Sequence, residues 1–283
     1  MIVLFLVMAL LPAGCATALG TVNGDDEMQE NEAAPSPAPR PTFVPEDGGE
    51  TASPLPQNAN KIVSFTEEAD LDGDGVLEKI EEGRYPLEGT SQGETFLHVY
   101  KGTELYSYQF DESEPMSYPE HVELQDFDGD AIPEILIFRD LGSGTGTGEV
   151  LKFQNNSFVS IFDTRTAELD IRVTYADDYQ LLAESKTMEP TSIKSLLQPN
   201  EKFEGIYDEK GKLKTVYECF IDFPNSMYSV PGKENSPADI EVVRYCTGVG
   251  GHSADEVGII RTVYRYGAES WEIISTTFTY TGI

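Results

Sequence analysis

The chain has 283 residues, and 50 acidic against 19 basic side chains give it a formal net charge of −31. A negative field of that size repels nucleic acid and anionic membrane surfaces, so the composition excludes a nucleic-acid-binding protein. It favours cationic partners such as calcium. The part that can build a core, residues 60–283, is long enough for one large all-β domain or two small ones.

The first 14 residues are apolar and too few to span a bilayer, but they have the length of a signal-peptide core. They run into Leu11-Pro12-Ala13-Gly14-Cys15, which resembles the lipobox of bacterial lipoproteins. The resemblance implies cleavage before Cys15, a lipid attached to its thiol and an anchor on the extracellular face of a bacterial cell membrane. An ordinary secretory peptide is the alternative, and a basic n-region is missing, so whether Met1 is the true start stays open.

Residues 15–59 are expected to form a lipidated, Pro-rich acidic linker. Its part from 21 to 59 holds seven of the 17 prolines, eight acidic residues and one arginine. Such a composition cannot bury a core and favours an extended, disordered tether. The tether would hold the folded domain away from the membrane.

Two acidic segments 56 positions apart share one spacing. Carboxylates at positions 1, 3 and 5, a backbone carbonyl at position 7 and a carboxylate at position 9 can converge on calcium, a hard cation with six to eight oxygen ligands. Glycine at position 4 of both segments lets the backbone turn. The predicted ligands are Asp70, Asp72, Asp74, Val76 and Glu78 in the first loop, and Asp126, Asp128, Asp130, Ile132 and Glu134 in the second.

Short runs of Val, Ile, Thr, Tyr and Phe between turn residues predict an all-β domain over residues 60–283. Four strand–turn–strand signals recur, at residues 99–106, 151–159, 206–213 and 264–273. One short helix is predicted at 191–197. The apolar run 135–138, which follows the second loop, is expected in the core, so the second loop is expected to matter more for stability than the first.

The pattern Asp-x-Asp-Gly-Asp-x-x-x-Glu before a hydrophobic strand resembles the calcium loops of FG-GAP and VCBS repeats. These repeats are blades of integrin-like β-propellers in exported bacterial proteins. The resemblance implies a propeller-like fold, partial or degenerate because only two acidic loops are present. It also implies strands on both sides of each loop.

An EF-hand is the alternative for the first loop. Asp70, Asp72, Asp74, Gly75 and Glu81 satisfy the EF-hand pattern, with Glu81 as the bidentate ligand. That motif needs flanking helices, whereas the entering residues 62–66 are strand-like. The second loop fails the pattern, so strand-flanked loops explain both segments.

No catalytic residue is assigned. The glycine-rich run 142–148 lacks the lysine of a phosphate-binding loop. It is predicted to be a long, flexible hairpin connection or a mobile lip over a binding face. The run 247–255 holds His252, Ser253 and Asp255, but neighbours in sequence rarely form a triad. Cys219 and Cys246 lie in strand-like contexts, which leaves both a disulfide and two buried thiols open.

The sequence therefore predicts a lipid-anchored, calcium-binding β-domain at the cell surface. Its expected role is binding or scaffolding for an unknown extracellular or cell-envelope ligand, with calcium structural. The alternative is an exported hydrolase acting on cell-wall or extracellular glycan. A cleft with two carboxylates at glycosidase separation would favour the hydrolase, and an exposed aromatic patch would favour the binding module.

Overall fold

A computed structural model describes residues 61–86, 93–110, 118–142, 144–188, 191–194, 203, 205–232, 236–249, 255–268 and 270–281. These residues form strands and turns without an α-helix, which confirms the all-β prediction. No helix in this part of the chain is long and apolar enough to cross a membrane. The predicted signal peptide, Cys15 and the linker lie outside the described residues.

The described residues contain fifteen strands. They are β1 (Ile62–Ala69), β2 (Glu78–Pro86), β3 (Gly93–Lys101), β4 (Glu104–Tyr108), β5 (Tyr118–Gln125), β6 (Glu134–Gly142), β7 (Thr145–Gln154), β8 (Ser157–Asp163), β9 (Ile171–Ala176), β10 (Gln180–Ser185), β11 (Thr191–Lys194), β12 (Phe220–Val230), β13 (Asp239–Thr247), β14 (Glu256–Tyr266) and β15 (Trp271–Tyr280).

The strands form four antiparallel sheets in chain order. Sheet 1 is β1–β4, sheet 2 is β5–β8, sheet 3 is β9–β11 and sheet 4 is β12–β15. Each sheet pairs successive strands, because short turns favour neighbours in sequence. Asn155 and Asn156, with φ of 52° and 62°, form the two-residue turn between β7 and β8, a geometry that matches the natural twist of a hairpin.

Three of the four predicted hairpins are confirmed, between β3 and β4, β7 and β8, and β14 and β15. The signal at residues 206–213 gives an isolated bridge between Tyr207 and Leu213.

Sheet 2 is buried on both faces. Ile135 and Ile137 belong to the core that sheet 2 shares with sheet 1. Leu136 and Phe138 belong to the core shared with sheet 4. Two buried faces require an unbroken apolar run instead of an alternating one, so the expectation that residues 135–138 lie in the core is confirmed.

A third core joins sheets 3 and 4. Its residues include Val173 and Leu181 from sheet 3 and Ile260 from sheet 4, all fully buried. Sheet 4 therefore contacts sheet 2 in one core and sheet 3 in another.

Two sequence predictions are wrong. The predicted helix begins instead with strand β11, where Ile193 is the register partner of Leu181 on β10; pairing with a neighbouring strand overrides a weak helix preference. The glycine-rich run is not a long flexible connection, because β6 ends at Gly142 and β7 begins at Thr145. Its glycines permit close packing: a Cβ at Gly148 would lie 2.6 Å from the Met227 sulfur.

Candidate metal centres

The two acidic loops lie at equivalent turns. The first joins β1 to β2 and the second joins β5 to β6, so each loop connects the first two strands of a four-stranded sheet. Strands on both sides exclude the EF-hand alternative for the first loop.

Each loop is held by the same five hydrogen bonds from backbone amides to carboxylates. In the first loop the backbone amides of Gly73 and Gly75 both donate to the Asp70 carboxylate. The amide of Asp74 donates to Asp72, that of Val76 donates to Asp74, and that of Leu71 donates to Glu78; the five distances are 2.8–3.3 Å. In the second loop the backbone amides of Gly129 and Ala131 both donate to the Asp126 carboxylate. The amide of Asp130 donates to Asp128, that of Ile132 donates to Asp130, and that of Phe127 donates to Glu134; the five distances are 2.7–3.1 Å. The equal spacing in sequence thus produces equal backbone geometry.

Three of the four predicted carboxylates come together in each loop. Ligand atoms of Asp70, Asp72 and Glu78 all lie within 4.8 Å of one another, and the same holds for Asp126, Asp128 and Glu134. The carboxylates at position 5, Asp74 and Asp130, are not in these sets; each accepts the amide hydrogen bond at position 7 instead. The carbonyls of Val76 and Ile132 stay predictions as ligands.

The position-9 glutamates are fully buried, unlike the aspartates. Burial raises the pKa of Glu78, and it raises the pKa of Glu134 to about 7. The Oε2 atom of Glu78 accepts the Leu71 amide hydrogen bond, but its buried Oε1 has no hydrogen-bond partner among the described residues. A buried oxygen without a partner is costly, and a cation held by the same loop would satisfy it.

The donor set fits a hard cation. The candidate ligand atoms in each loop are all carboxylate oxygens, which suit calcium and magnesium better than softer metals. Bound calcium would supply positive charge to carboxylates that otherwise repel one another.

A lysine from the third strand of the sheet reaches each loop. The Lys101 ammonium pairs with Asp72 and lies 2.7 Å from Asp74. The Lys152 ammonium pairs with Asp128 and lies 2.5 Å from Asp130 and 3.3 Å from Glu134. Sequence reasoning missed both lysines, because strand pairing brings them to the loops.

The two loops are also close to each other. A Cβ added at Gly73 of the first loop would lie 2.6 Å from the Cδ1 atom of Ile132 in the second. Gly73 is therefore needed for space as well as for its φ of 76°.

Glu81, the bidentate ligand of the EF-hand alternative, serves another contact. It lies on β2 and accepts hydrogen bonds from the Lys61 ammonium at 2.5 Å and the Tyr100 hydroxyl at 3.1 Å, with Lys79 at 2.6 Å. Burial alone would raise the pKa of Glu81, but the two ammonium groups and the hydroxyl lower it to about 2.

A cleft of about 430 Å³ lies apart from the loops and contains Trp271, the one tryptophan of the chain. Its four carboxylates include those of Glu168 and Asp170, which have side-chain partners. Asp170 accepts a hydrogen bond from Thr276 at 2.9 Å, and Glu168 pairs with Lys186 at 2.8 Å. The indole nitrogen of Trp271 donates to the carbonyl of Ile161 at 2.6 Å.

The two histidines that the structure describes make ring-stacking or ion-pair contacts. His98 is buried and stacked on Phe96, with ring centroids 4.4 Å apart, and His121 pairs with Glu123. His252 and Ser253 of the run 247–255 lie outside the described residues.

Cys219 and Cys246 are buried free thiols in the core between sheets 3 and 4. The hydrogen bond with Cys219, together with burial, raises the pKa of the Cys246 thiol. Of the two alternatives left open by the sequence, the structure has the free thiols.

Comparison with known proteins finds similarity without a described activity. Residues 169–279, which contain strands β9 to β14 and most of β15, match the family described as YybI C-terminal domain. The "Uncharacterized protein YybI" of Bacillus subtilis is 23% identical over 230 residues, which cover 79% of this chain and 87% of the relative. No solved structure matches the chain. Both acidic loops precede the residues that match the YybI C-terminal domain.

Proposed function

We propose that this protein is a calcium-binding β-domain that acts as a binding or scaffolding module at the bacterial cell surface. The observation that carries the proposal is the repeated loop, in which a fully buried glutamate faces two aspartates in the same geometry twice. The carboxylates that can hold calcium are those of Asp70, Asp72 and Glu78 in the first loop, and those of Asp126, Asp128 and Glu134 in the second.

Calcium in this proposal is structural. Each loop joins the first two strands of its sheet, and residues next to the loop carboxylates, Leu71 and Phe127, are buried in the cores. Neutralising the carboxylates would therefore stabilise the turn that places these two side chains. A structural cation of this kind adds to folding stability by mass action.

The proposal includes a propeller-like arrangement of the sheets. Four-stranded antiparallel meanders that pack face to face, as sheets 1 and 2 do, support it. The resemblance of both loops to FG-GAP and VCBS repeats supports it as well. The stack would be partial, in keeping with acidic loops on two sheets.

The anchor is proposed from the sequence. Residues 11–15 resemble a lipobox, and two acyl chains on Cys15 would give stable membrane attachment. Replacing Cys15 by Ser should move the protein from the membrane fraction to the soluble fraction of the producing bacterium. Unchanged partitioning of the variant into detergent would contradict the anchor and leave the calcium proposal intact.

Binding is favoured over glycan hydrolysis by two observations. Two carboxylates of the Trp271 cleft already have partners: Asp170 accepts a hydrogen bond from Thr276, and Glu168 forms an ion pair with Lys186 at the surface. Phe220 and Phe223, at the start of edge strand β12, are 59% and 60% exposed, and the proposal assigns these two aromatic side chains to contact with the ligand.

Calcium titration by calorimetry tests the function directly. The chain with Cys15 replaced by Ser should release or absorb heat with calcium, and the same chain with Glu78 and Glu134 both replaced by Gln should not. Equal heats for the two proteins would overturn the proposal.

A further inference from the structure

The lysines at the two loops occupy equivalent positions in the fold. On sheet 1, Lys79 is the register partner of Tyr100, so the next pair along the strands is Glu78 and Lys101. On sheet 2, Ile135 is the partner of Leu151, so the next pair is Glu134 and Lys152. A lysine therefore lies across from the position-9 glutamate in both sheets.

The equivalence does not follow from equal spacing in sequence. Lys101 is 29 residues from Asp72, whereas Lys152 is 24 residues from Asp128. The hairpins between the second and third strands differ in length, yet each brings a lysine to the same place. The lysine is thus a second repeated feature of the loops, beside the carboxylates.

The two lysines neutralise their loops to different extents. Lys101 contacts Asp72 and Asp74, and leaves Oε1 of the buried Glu78 without a hydrogen-bond partner among the described residues. Lys152 contacts three of the four carboxylates in its loop, those of Asp128, Asp130 and the buried Glu134. The Lys152 side chain is also less exposed, at 16% against 27% for Lys101.

We propose that Lys101 and Lys152 compete with the metal, so that the first loop binds calcium and Lys152 holds the second loop closed to it at millimolar calcium. This inference rests on the proposed calcium binding and names its regulation. Calcium and an ammonium group require the same carboxylate oxygens and repel each other. Calcium must therefore displace the lysine, which costs more in the second loop because three contacts are lost.

The sequence predicts that calcium in the second loop matters more for stability, because that loop precedes the apolar run 135–138. The proposal reverses this order and gives the larger calcium effect to the first loop. The run 135–138 is fully buried in the structure in which Lys152 pairs with the second loop. Lys152 supplies the positive charge that calcium would otherwise supply, so the second loop keeps its conformation without the metal.

The test is a calcium titration by calorimetry on the Cys15→Ser chain and on three further variants of it. Lys152→Met should add a second binding event or lower the dissociation constant of the second loop by about tenfold or more, since a tethered cation has been removed. Lys101→Met should lower the dissociation constant of the first loop by a smaller factor. Lys212→Met, which removes an exposed lysine paired with Asp177, changes the net charge equally and should leave calcium binding unchanged.

A second measurement shows whether Lys152→Met is folded when its calcium binding is measured. In chelator, Lys152→Met should melt at a lower temperature than the parent chain, because its carboxylates lose their counter-ion, and calcium should restore the loss. Lys152→Arg keeps the charge and should bind calcium as the parent chain does. A Lys152→Met protein that stays unfolded in both chelator and excess calcium would overturn the proposal.

The possible outcomes separate the inference from the proposed function. Two equal calcium sites in the parent chain, with affinities unaffected by either Lys→Met change, would overturn the inference and keep the calcium function. No calcium binding by the parent chain or by any lysine variant would overturn both. A second site that appears only in Lys152→Met supports both.

Discussion

Ala131 adopts a backbone conformation that its side chain disfavours. Its φ is 69°, and the equivalent residue of the first loop is Gly75, with a φ of 84°. A Cβ at Gly75 would have no atom within 4 Å, so only the backbone conformation distinguishes the two residues there. The left-handed conformation costs an L-residue about 1 kcal/mol, so Ala131 destabilises the second loop by about that amount.

Exchanging these two residues should therefore change stability in opposite directions. Ala131→Gly should raise the free energy of unfolding by about 0.5–1 kcal/mol, and Gly75→Ala should lower it by a similar amount. Urea unfolding in chelator measures both without a contribution from metal. Changes of the same sign in the free energy of unfolding would show that the left-handed conformation of Ala131 does not reduce the stability of the second loop.

Glu82 gives the stability a pH dependence. It lies on β2 with 1% of its surface exposed, and burial raises its pKa to about 8. A raised carboxyl pKa means that the folded state holds a proton that the unfolded state releases above about pH 4.5. The contribution of Glu82 to the free energy of unfolding is present below pH 4.5 and is lost as the pH rises toward 8. Burial lowers the pKa of His98 to about 4, so that group favours the folded state above about pH 6.5 and loses this contribution as the pH falls.

Between pH 6.5 and 8 the Glu82 effect should dominate these two opposing contributions. Ionisation of Glu82 alone should lower the free energy of unfolding by about 1.5–2 kcal/mol over this range, since each pKa unit corresponds to about 1.4 kcal/mol. The variant Glu82→Gln should lose most of this slope, whereas Glu68→Gln, on the same sheet and exposed, should keep it. Equal slopes in the parent and Glu82→Gln would mean that Glu82 is ionised when buried.

At this scale the sequence predicts what is local. The loop carboxylates are recognised because their spacing lies within nine residues and their backbone hydrogen bonds span at most seven. Lys101 and Lys152 could not be recognised, because the pairing that brings them to the loops depends on how long each hairpin is. The strain at Ala131 becomes visible only beside Gly75, in the aligned first loop.

The first loop differs from an EF-hand in which glutamate serves as its last metal ligand, at position 9 instead of position 12. Glu78 begins β2 and faces the loop, while Glu81 accepts hydrogen bonds from Lys61 and Tyr100. The variant Glu78→Gln should weaken calcium binding of the first loop by about tenfold or more, because a buried charged ligand is lost. Calorimetry on Glu81→Gln should show unchanged affinity, with a lower melting temperature from the lost ion pairs. Stronger loss of affinity in Glu81→Gln would contradict the strand-flanked loop.

Turns and strands were predicted unequally well. Hairpins with Asn-Asn or Lys-Gly at the turn were recognised, since such residues accept a left-handed backbone. Strand β11 was missed because four residues carry little signal of their own and depend on pairing with β10. The glycine-rich run was misjudged because of what its glycines pack against. Gly146 packs against Phe138 on the paired strand β6, and Gly148 packs against Met227, which is distant in sequence.

For the molecule as a whole, the stacking of sheets was beyond the sequence. Alternation within the run 135–138 sends successive side chains to opposite faces of sheet 2, but the partners on those faces come from sheets 1 and 4, on either side of it in the chain. The sequence shows that both faces are buried and does not show which sheets bury them.

Calcium should raise the melting temperature of the whole domain, and mainly through the first loop. At about 1 mM calcium, a site with a dissociation constant of about 0.1 mM adds about 1.4 kcal/mol to folding, or roughly 3–6 °C for a domain of this size. Thermal melts of the Cys15→Ser chain in calcium and in chelator measure this difference. Asp72→Ala should remove most of it, and Asp128→Ala should remove little, because Lys152 already neutralises the second loop. Glu218→Ala, an exposed acidic residue paired with Arg172, should keep the full response. Identical parent melts in calcium and chelator would contradict structural calcium, and a larger loss in Asp128→Ala would contradict the competing role of Lys152.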